Sequence, residues 1–371
     1  MLPLEEGCRV SVFGRVQLDY FCTGYGSGGD VNFPYSVSLL EGLRNCEKLQ
    51  VNEQLAAVYE AWVQENPADH GTWGNWPRFH PEMPVSEDLV ARARKDSDHA
   101  VIVLGRASGE DRENLLEEGS FYLTEDENRL LETVTAQFPD AILVLNTGCI
   151  CDLSFLKEYS FGAVLMAWQG GMESGNAVAD LLCGKVNPSG RLTATIGDSY
   201  EAYPSADHFG NREFNEYYED IFVGYRWFET FTPEKVLYPF GHGLSYTTFS
   251  LQWEQSAPLS FHVTVTNTGA RAGKEAVLLY VQKPCAPLTN PARELLAFGK
   301  TQLLAPGESQ TLTLTATRYQ LSSFDESGVT GHRNCYVLQA GTYSFYIGGD
   351  VRSAAPAGEY VQAQSLRPIT S

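Results

Sequence analysis

The spacing of apolar residues along the chain changes once, near residue 247. Before about residue 190, short and nearly continuous apolar runs alternate with segments whose apolar residues recur at helical spacing. The runs predict buried strands at residues 10–14, 99–105, 141–145 and 163–168. Helices are predicted at residues 37–43, 49–65, 153–159 and 173–185, and after the capping-box residues Thr124 and Glu127. This alternation predicts an α/β fold with a mostly parallel sheet flanked by helices.

The second pattern is the strict alternation of apolar and polar residues that is typical of half-buried strands. It is clearest at residues 259–267, and further strands are predicted at 275–282, 309–317 and 343–347. Short strands between Gly, Pro and Asn turns indicate an immunoglobulin-like or fibronectin-type sandwich. We therefore predict an α/β domain at 1–246, whose last part (200–246) is an aromatic-rich connecting segment, an all-β domain at 247–350, and a tail or linker at 351–371.

The charge balance argues against one class of partner. The chain carries 26 Lys and Arg residues against 46 Asp and Glu residues, a formal net charge of −20, and this balance repels a nucleic-acid backbone. No apolar run approaches the roughly 18 residues that a membrane-spanning helix requires, and the first residues lack the features of a signal peptide. The eight cysteines include no CxxC pair. We therefore expect a reduced, cytoplasmic protein without membrane contact.

Residues 24–29, Gly-Tyr-Gly-Ser-Gly-Gly, satisfy the GxGxxG pattern. In dinucleotide-binding proteins that pattern turns directly from a strand into a helix, so that the pyrophosphate meets the helix N-terminus. Here nine residues separate Gly14 from Gly24, and Asn-Phe-Pro at residues 32–34 comes before the helix. We interpret the stretch as a glycine-rich loop at the edge of a site, with nucleotide binding and an ordinary loop as the alternatives. No histidine cluster has metal-ligand spacing, so neither a metal nor a cofactor is predicted.

Residues 106–114, Arg-Ala-Ser-Gly-Glu-Asp-Arg-Glu-Asn, directly follow the predicted buried strand at 99–105. They therefore leave the sheet at the carboxyl end of a strand, which is where open α/β sheets place their ligand sites. Such a loop either presents a carboxyl group to a site or is a solvated acidic loop, and the spacing alone leaves both interpretations open. The aromatic-rich stretch 216–231 is interpreted as core or domain-interface packing.

Five ordered motifs resemble the family 3 glycoside hydrolases, a family that includes many β-glucosidases. They lie at residues 23–32 with 39–44, 106–112, 170–192, 218–226 and 240–246, and residues 265–269 and 275–280 resemble the family's fibronectin-type domain. Family members combine a (β/α)8-type barrel, an (α/β)6 sandwich and a fibronectin type III domain, so the resemblance implies that this chain is the non-barrel half. Residues 73–84 also resemble circularly rearranged members, in which this half precedes the barrel; the conventional order is the alternative.

The resemblance also implies roles for individual residues. Glu110 matches the general acid/base, with Asp111 and Glu113 as the alternatives, and Ser27 and Arg106 match substrate-binding positions. The aspartate nucleophile would lie on the barrel. The implied function is part of a retaining, exo-acting β-glycosidase that hydrolyses terminal non-reducing sugars, with a β-linked glucoside or oligosaccharide and the barrel domain as partners. The alternative function is a non-catalytic module that binds carbohydrate or a partner protein.

Overall fold

The computed structural model describes residues 2–26, 29, 31–72, 74–110, 114–211 and 213–366. The chain divides into two compact units, Met1–Val186 (unit 1) and Asn187–Ser371 (unit 2). Residues 187–246, including the connecting segment predicted at 200–246, belong to unit 2 by this division, although they were predicted within the α/β domain at 1–246. Among the described residues, no helix combines the length and the apolar character needed to cross a bilayer.

Unit 1 is built from alternating strands and helices. Its strands are β1 (Arg9–Phe13), β2 (Gln50–Val51), β3 (His99–Arg106), β4 (Ile142–Thr147) and β5 (Ala163–Met166). Its helices are α1 (Leu39–Asn45), α2 (Glu53–Glu65), α3 (Glu87–Asp96), α4 (Glu125–Gln137) and α5 (Ser174–Leu182), with short 3-10 helices at Arg15–Gln17 and Ser154–Lys157. These strands form one parallel sheet in the order β2-β1-β3-β4-β5. In this order the direction of the connections reverses between β1 and β3, which opens a crevice at their carboxyl ends.

Apolar side chains cover both faces of this sheet. On one face, Val12 and Val103 belong to a buried cluster that includes Leu40 of α1 and Leu182 of α5. On the other face, Phe13 makes an edge contact with Phe138, where α4 ends, at 6.2 Å between ring centroids. The predicted parallel sheet flanked by helices is confirmed.

Two predicted helices differ from the elements that form. Residues 49–65 were predicted as one helix, but Gln50–Val51 pairs with β1, and α2 begins only at Glu53. Asn52 separates the two elements because its side chain accepts a hydrogen bond from the Leu55 N–H and caps the helix. The segment predicted as a helix at 153–159 is the short 3-10 helix Ser154–Lys157.

Helices α1 and α5 cross at a pair of glycines. A Cβ atom built on Gly42 would lie 2.2 Å from the carbonyl oxygen of Gly175, and one built on Gly175 would lie 2.0 Å from that of Ser38. Real Cβ atoms do not approach backbone oxygens so closely, so the crossing requires glycine at both positions. The contact fixes the helix that follows the glycine-rich loop against the helix that follows β5.

Replacing Gly175 by alanine should destabilise the protein by about 2 kcal/mol, since the added methyl group would push the two helices apart. The sign is informative, because alanine is otherwise the better helix former, by up to about 1 kcal/mol in a helix interior. Urea unfolding of the whole chain measures the change. Gly190→Ala is the control, since a Cβ atom there meets nothing within 4 Å; equal unfolding midpoints for the two variants would show that the crossing tolerates a side chain.

Unit 2 contains an antiparallel β-sandwich. Its first elements are β6 (Ile196–Gly197), α6 (Tyr225–Phe231) and β7 (Val236–Tyr238). The later strands are β8 (Phe249–Ala257), β9 (Ser260–Asn267), β10 (Ala276–Gln282), β11 (Glu294–Lys300), β12 (Ser309–Thr315), β13 (Ser323–Asp325), β14 (Cys335–Val337), β15 (Gly341–Gly348) and β16 (Ala355–Gln362), with the short helix α7 (Arg318–Leu321). One sheet has the order β11-β10-β15-β16 and the other β12-β9-β8. Their inward residues share one core, and the predicted all-β sandwich fold is confirmed.

Strand β16 lies in the stretch predicted as a tail or linker. Its residues pair antiparallel with β15 over Gly341 to Ile347, and the ring of Tyr360 contacts Tyr343 at 6.0 Å. The strand has the sequence Ala-Pro-Ala-Gly-Glu-Tyr-Val-Gln, in which Val361 is the only β-branched residue and four of the eight residues are Ala, Gly or Pro. Such residues are not typical of strands, so the sequence shows no clear alternation of apolar and polar positions.

Candidate active site

The loops that follow β1 and β3 meet at the carboxyl edge of the unit 1 sheet, at the point where the strand order reverses. The Tyr25 N–H donates a hydrogen bond to the Ser108 carbonyl at 2.8 Å, and the Glu110 N–H donates to the Tyr25 carbonyl at 3.2 Å. Tyr25 and Gly109 thus form a parallel bridge beyond the ends of the regular strands. We call this pairing of the glycine-rich loop with the loop at 107–110 the loop clamp.

Glycine makes the loop clamp sterically feasible. A Cβ atom on Gly109 would lie 2.2 Å from the Tyr25 carbonyl oxygen, and one on Gly26 would lie 2.5 Å from the Cβ atom of Glu110. Gly26 also has a φ angle of 97°, in the region that favours glycine. The clamp therefore holds the backbone of Glu110 while its side chain is exposed to solvent.

Arg106, the last residue of β3, is anchored below this loop. Its guanidinium makes two parallel bonds to the Glu127 carboxylate at 2.6 and 2.7 Å, and it also donates to the carbonyls of Gly105, Ser120 and Tyr122. Arg106 is 3 % exposed and Glu127 4 %. Glu127 also completes the capping box of α4, because its carboxylate accepts a hydrogen bond from the Thr124 N–H at 2.8 Å.

These five bonds use all five N–H groups that a guanidinium possesses. Arg106 was expected to bind substrate directly, but in this geometry its guanidinium has no N–H group left to donate to a substrate. We propose instead that Arg106 positions the loop that follows it. The sequence motif at 106–112 could not predict this role, because the carboxylate that pairs with Arg106 belongs to Glu127 on another element.

Replacing Arg106 by methionine should cost about 3 kcal/mol of folding stability or more, since it leaves the Glu127 carboxylate buried without its cation. The double variant Arg106→Met/Glu127→Leu should lose less than the two single variants added together. Urea unfolding at neutral pH measures each value.

Arg129→Met provides the matched control on α4, the helix that carries Glu127, because Arg129 pairs with Glu125 in an exposed salt bridge. Such pairs contribute at most about 1 kcal/mol. A loss for Arg106→Met as small as that of the control would contradict the anchoring role.

A second buried side chain, Asn146 of β4, ties the neighbouring loops together. Its Nδ2 donates to the carbonyls of Phe21 and Trp168 at 2.9 and 2.7 Å, and its Oδ1 accepts from the Phe21 N–H at 2.8 Å. Trp168, just beyond β5, has a positive φ angle of 54°. The sequence analysis did not single out Asn146. The available signal was a polar residue directly after the apolar run 141–145, and the structure shows that this residue is fully buried.

Aromatic residues support the loop clamp from one side. The ring of Tyr25 stacks on Trp76 with 5.4 Å between centroids and 7° between planes. The Arg78 carbonyl accepts a hydrogen bond from the Ala107 N–H at 2.7 Å. A shallow cavity of about 230 Å³ lies beside this contact, lined by residues 75–79 and 117–119. Trp76 is thus placed next to the loop that carries Glu110.

His80 stacks on Phe21 at 4.8 Å between ring centroids. Burial lowers the pKa of His80 to about 4, and the nearby Arg15 acts in the same direction, while the charge of Asp19 opposes the shift. The Nδ1 atom of His80 has no hydrogen-bond partner within the described part of the chain. His80 is therefore held as a neutral imidazole in the folded protein.

Because the pKa of an unfolded histidine is about 6.5, the unfolded chain binds a proton between pH 6.5 and 4 that the folded chain does not. His80 should therefore lower the stability as the pH falls through this window, by at most about 3 kcal/mol. His80→Phe removes the titrating group, so its free energy of unfolding should decrease less between pH 7 and pH 4.5. Equal decreases in the two proteins would contradict this assignment.

Three residues assigned to the site by resemblance, Ser27, Asp111 and Glu113, lie outside the described residues. Among the described residues, the structure brings Glu110 together with the glycine-rich loop, and Arg106 anchors the start of the loop that carries Glu110. The resulting class of site is a carboxylate presented on a clamped loop at the switch point of a parallel sheet.

Comparison with known proteins identifies the family. The glycosyl hydrolase family 3 C-terminal domain matches residues 1–246, and a fibronectin type III-like domain matches residues 275–351. The chain belongs to glycoside hydrolase family 3, and the predicted resemblance is confirmed.

Several relatives are β-glucosidases. The chain is 42 % identical to a β-glucosidase from Ruminococcus albus and 37 % identical to β-glucosidase A from Butyrivibrio fibrisolvens, over 95 % of its own length in both cases. It spans only 38 % and 47 % of the lengths of those relatives.

Solved structures give the same result. A β-glucosidase from Paenibacillus barengoltzii superposes on 99 % of this chain with a TM-score of 0.95 and 45 % identity, which covers 42 % of that protein. β-Glucosidase 3B from Thermotoga neapolitana, solved with α-D-glucose, superposes with a TM-score of 0.86 and 34 % identity over 99 % of this chain and 52 % of that protein.

Proposed function

We propose that this chain supplies the general acid/base of a retaining β-glucosidase-like enzyme, and that Glu110 is that residue. The observation that supports the proposal most directly is the loop clamp, which fixes the Glu110 backbone at the switch point and leaves the side chain exposed. An exposed carboxylate on a rigid support suits a group that must reach a substrate held elsewhere. The enzyme is exo-acting and removes terminal non-reducing sugars.

In the proposed reaction an aspartate on a barrel domain attacks the anomeric carbon while Glu110 donates its proton to the departing oxygen. Glu110, now a carboxylate, then accepts a proton from the water that hydrolyses the glycosyl-enzyme. The two carboxyl groups of such a retaining enzyme stand about 5–5.5 Å apart. The catalytic pair is therefore completed only by the barrel.

The surroundings of Glu110 must change for this chemistry. A glutamic acid free in water has a pKa of about 4.3, so the pKa of any general acid of this kind must be raised if it is to hold a proton at neutral pH. Docking against the barrel would remove water from the loop and place a second carboxylate nearby, and both effects raise the pKa of a carboxyl group. The isolated chain should therefore be inactive even though Glu110 is in place.

The remaining assignments are parts of the same proposal. Ser27 contacts the sugar or orders the site, while Asp111 and Glu113 remain the alternatives for the acid/base. The barrel follows this chain in a circularly rearranged order, and the enzyme acts in the cytoplasm on a β-linked glucoside or oligosaccharide. The relatives named above support the substrate class through their β-glucosidase names.

Glu110→Gln, in the enzyme that joins this chain to its barrel, should lower kcat on a poor leaving group by about 10²–10⁴-fold. The loss should be smaller for 2,4-dinitrophenyl β-glucoside, whose leaving group needs no proton. Azide should restore turnover and yield β-glucosyl azide, since azide attacks the glycosyl-enzyme without a general base.

Asp111→Asn and Glu113→Gln are the matched controls in the same loop, and both should retain activity without any effect of azide. Azide rescue of one of these variants, with normal turnover by Glu110→Gln, would transfer the acid/base role to that residue. Full activity of all three variants would remove the loop from the mechanism.

A further inference from the structure

Three aromatic rings form an exposed cluster in unit 2. Tyr319, Phe324 and Tyr336 are 51 %, 50 % and 43 % exposed. The ring of Tyr336 contacts Tyr319 at 4.8 Å and Phe324 at 5.3 Å between centroids, with interplanar angles of 52° and 65°. We call these three residues the aromatic cluster. Rings of this size are normally among the residues that a domain buries, so their shared exposure requires an explanation.

The hairpin β13–β14 places two of the rings on one face. Phe324 and Tyr336 are direct antiparallel partners, and side chains of directly opposed residues lie on the same side of a sheet. Tyr319 reaches the same face from α7, which begins with a capping box between Thr317 and Gln320. The cluster is therefore assembled from two separate elements.

A buried carboxylate makes the hairpin rigid. Asp325, next to Phe324, is fully buried and accepts hydrogen bonds from the turn that follows it. The donors, at 2.6–3.2 Å, are the hydroxyls of Ser327 and Thr330 and the N–H groups of Gly328, Val329 and Thr330. Burial alone would raise the pKa of Asp325, but these bonds outweigh it and hold the pKa well below the usual range. The aromatic cluster is thus held out into solvent by a pre-organised turn.

The second support holds Tyr319. Gln320, its neighbour on α7, donates a hydrogen bond from Nε2 to the Leu296 carbonyl at 2.9 Å. The Ser322 hydroxyl donates to the Arg318 carbonyl at 2.8 Å, which closes the short helix. Because both elements are fixed before any ligand arrives, binding at the cluster would cost little ordering entropy.

The size of the aromatic cluster and the charged residues close to it in sequence suit a small polar ligand. Half-exposed rings of this kind present roughly 300 Å² together, well below the roughly 800 Å² per partner of a stable protein interface. Exposed charged side chains of both signs occupy the neighbouring sequence positions, namely Arg318, Glu326 and Arg333. A protein partner would have to desolvate these charges, whereas a polyhydroxylated ligand can hydrogen-bond to them.

We propose that the aromatic cluster is a carbohydrate-binding surface for a short run of pyranose units in a neutral β-glucan. The apolar C–H face of each sugar would stack on a ring, and its equatorial hydroxyls would hydrogen-bond to water and to polar side chains within reach. This binding needs no catalysis and does not depend on the role of Glu110.

Native gel electrophoresis of the chain, in gels that contain soluble mixed-linkage β-glucan, tests the proposal. The β-glucan should retard the protein, and Tyr336→Ala should weaken the retardation about tenfold or more in apparent affinity. Tyr336→Phe keeps the stacking face and should bind like the parent chain. Phe298→Ala is the control, since Phe298 is a more exposed ring at 75 % in the same unit.

Three outcomes would overturn the proposal: no retardation of the parent chain, equal weakening by Phe298→Ala, or unchanged binding by Tyr336→Ala. If Tyr336→Ala does not fold, Tyr319→Ala decides in its place, since it leaves the hairpin intact. A dimer in solution that Tyr336→Ala dissociates would assign the cluster to self-association and also overturn the proposal. Because no step measures turnover, failure here leaves the proposed function of Glu110 unaffected.

Discussion

The buried ion pair between Arg106 and Glu127 is the constraint on which the site of unit 1 depends. It links the end of β3 to the N-terminal turn of α4, and the same guanidinium holds the carbonyls of Ser120 and Tyr122. A buried pair is rarely a large net gain in stability, because both charges lose their hydration. Its effect here is on position, because it fixes the end of β3, from which the loop that carries Glu110 leaves the sheet.

Because the end of β3 is fixed, the loop that follows it pairs with the glycine-rich loop at defined residues. The backbone bridge between Tyr25 and Gly109 sets Glu110 at the edge where β1 and β3 diverge, and Asn146 extends the same support to the loop beyond β5. Buried polar side chains therefore hold the backbone that carries an exposed carboxylate. Such an arrangement suits the proposed role of Glu110, because a carboxylate on a fixed backbone can act on a substrate that another domain holds.

The sequence predicted the larger features of this structure because they depend on local patterns. Buried strands such as β3 and β4 are nearly continuous apolar runs, and the capping box at Thr124 marks the start of α4. Features that depend on contacts between distant residues were not predictable. The Arg106–Glu127 pair spans 21 positions and the Asn146–Phe21 bonds span 125. Strand β16 was missed for a related reason, since it exists by pairing with β15 and its own pattern is weak.

The position of Glu110 relative to the nucleophile is the central claim, and a crystal structure of the complete enzyme with glucose bound measures it directly. We predict that a Glu110 carboxyl oxygen lies about 5–5.5 Å from the nucleophilic carboxylate, on the leaving-group side of the anomeric carbon. A Glu110 carboxylate directed away from the sugar, with Asp111 or Glu113 at that distance instead, would contradict it.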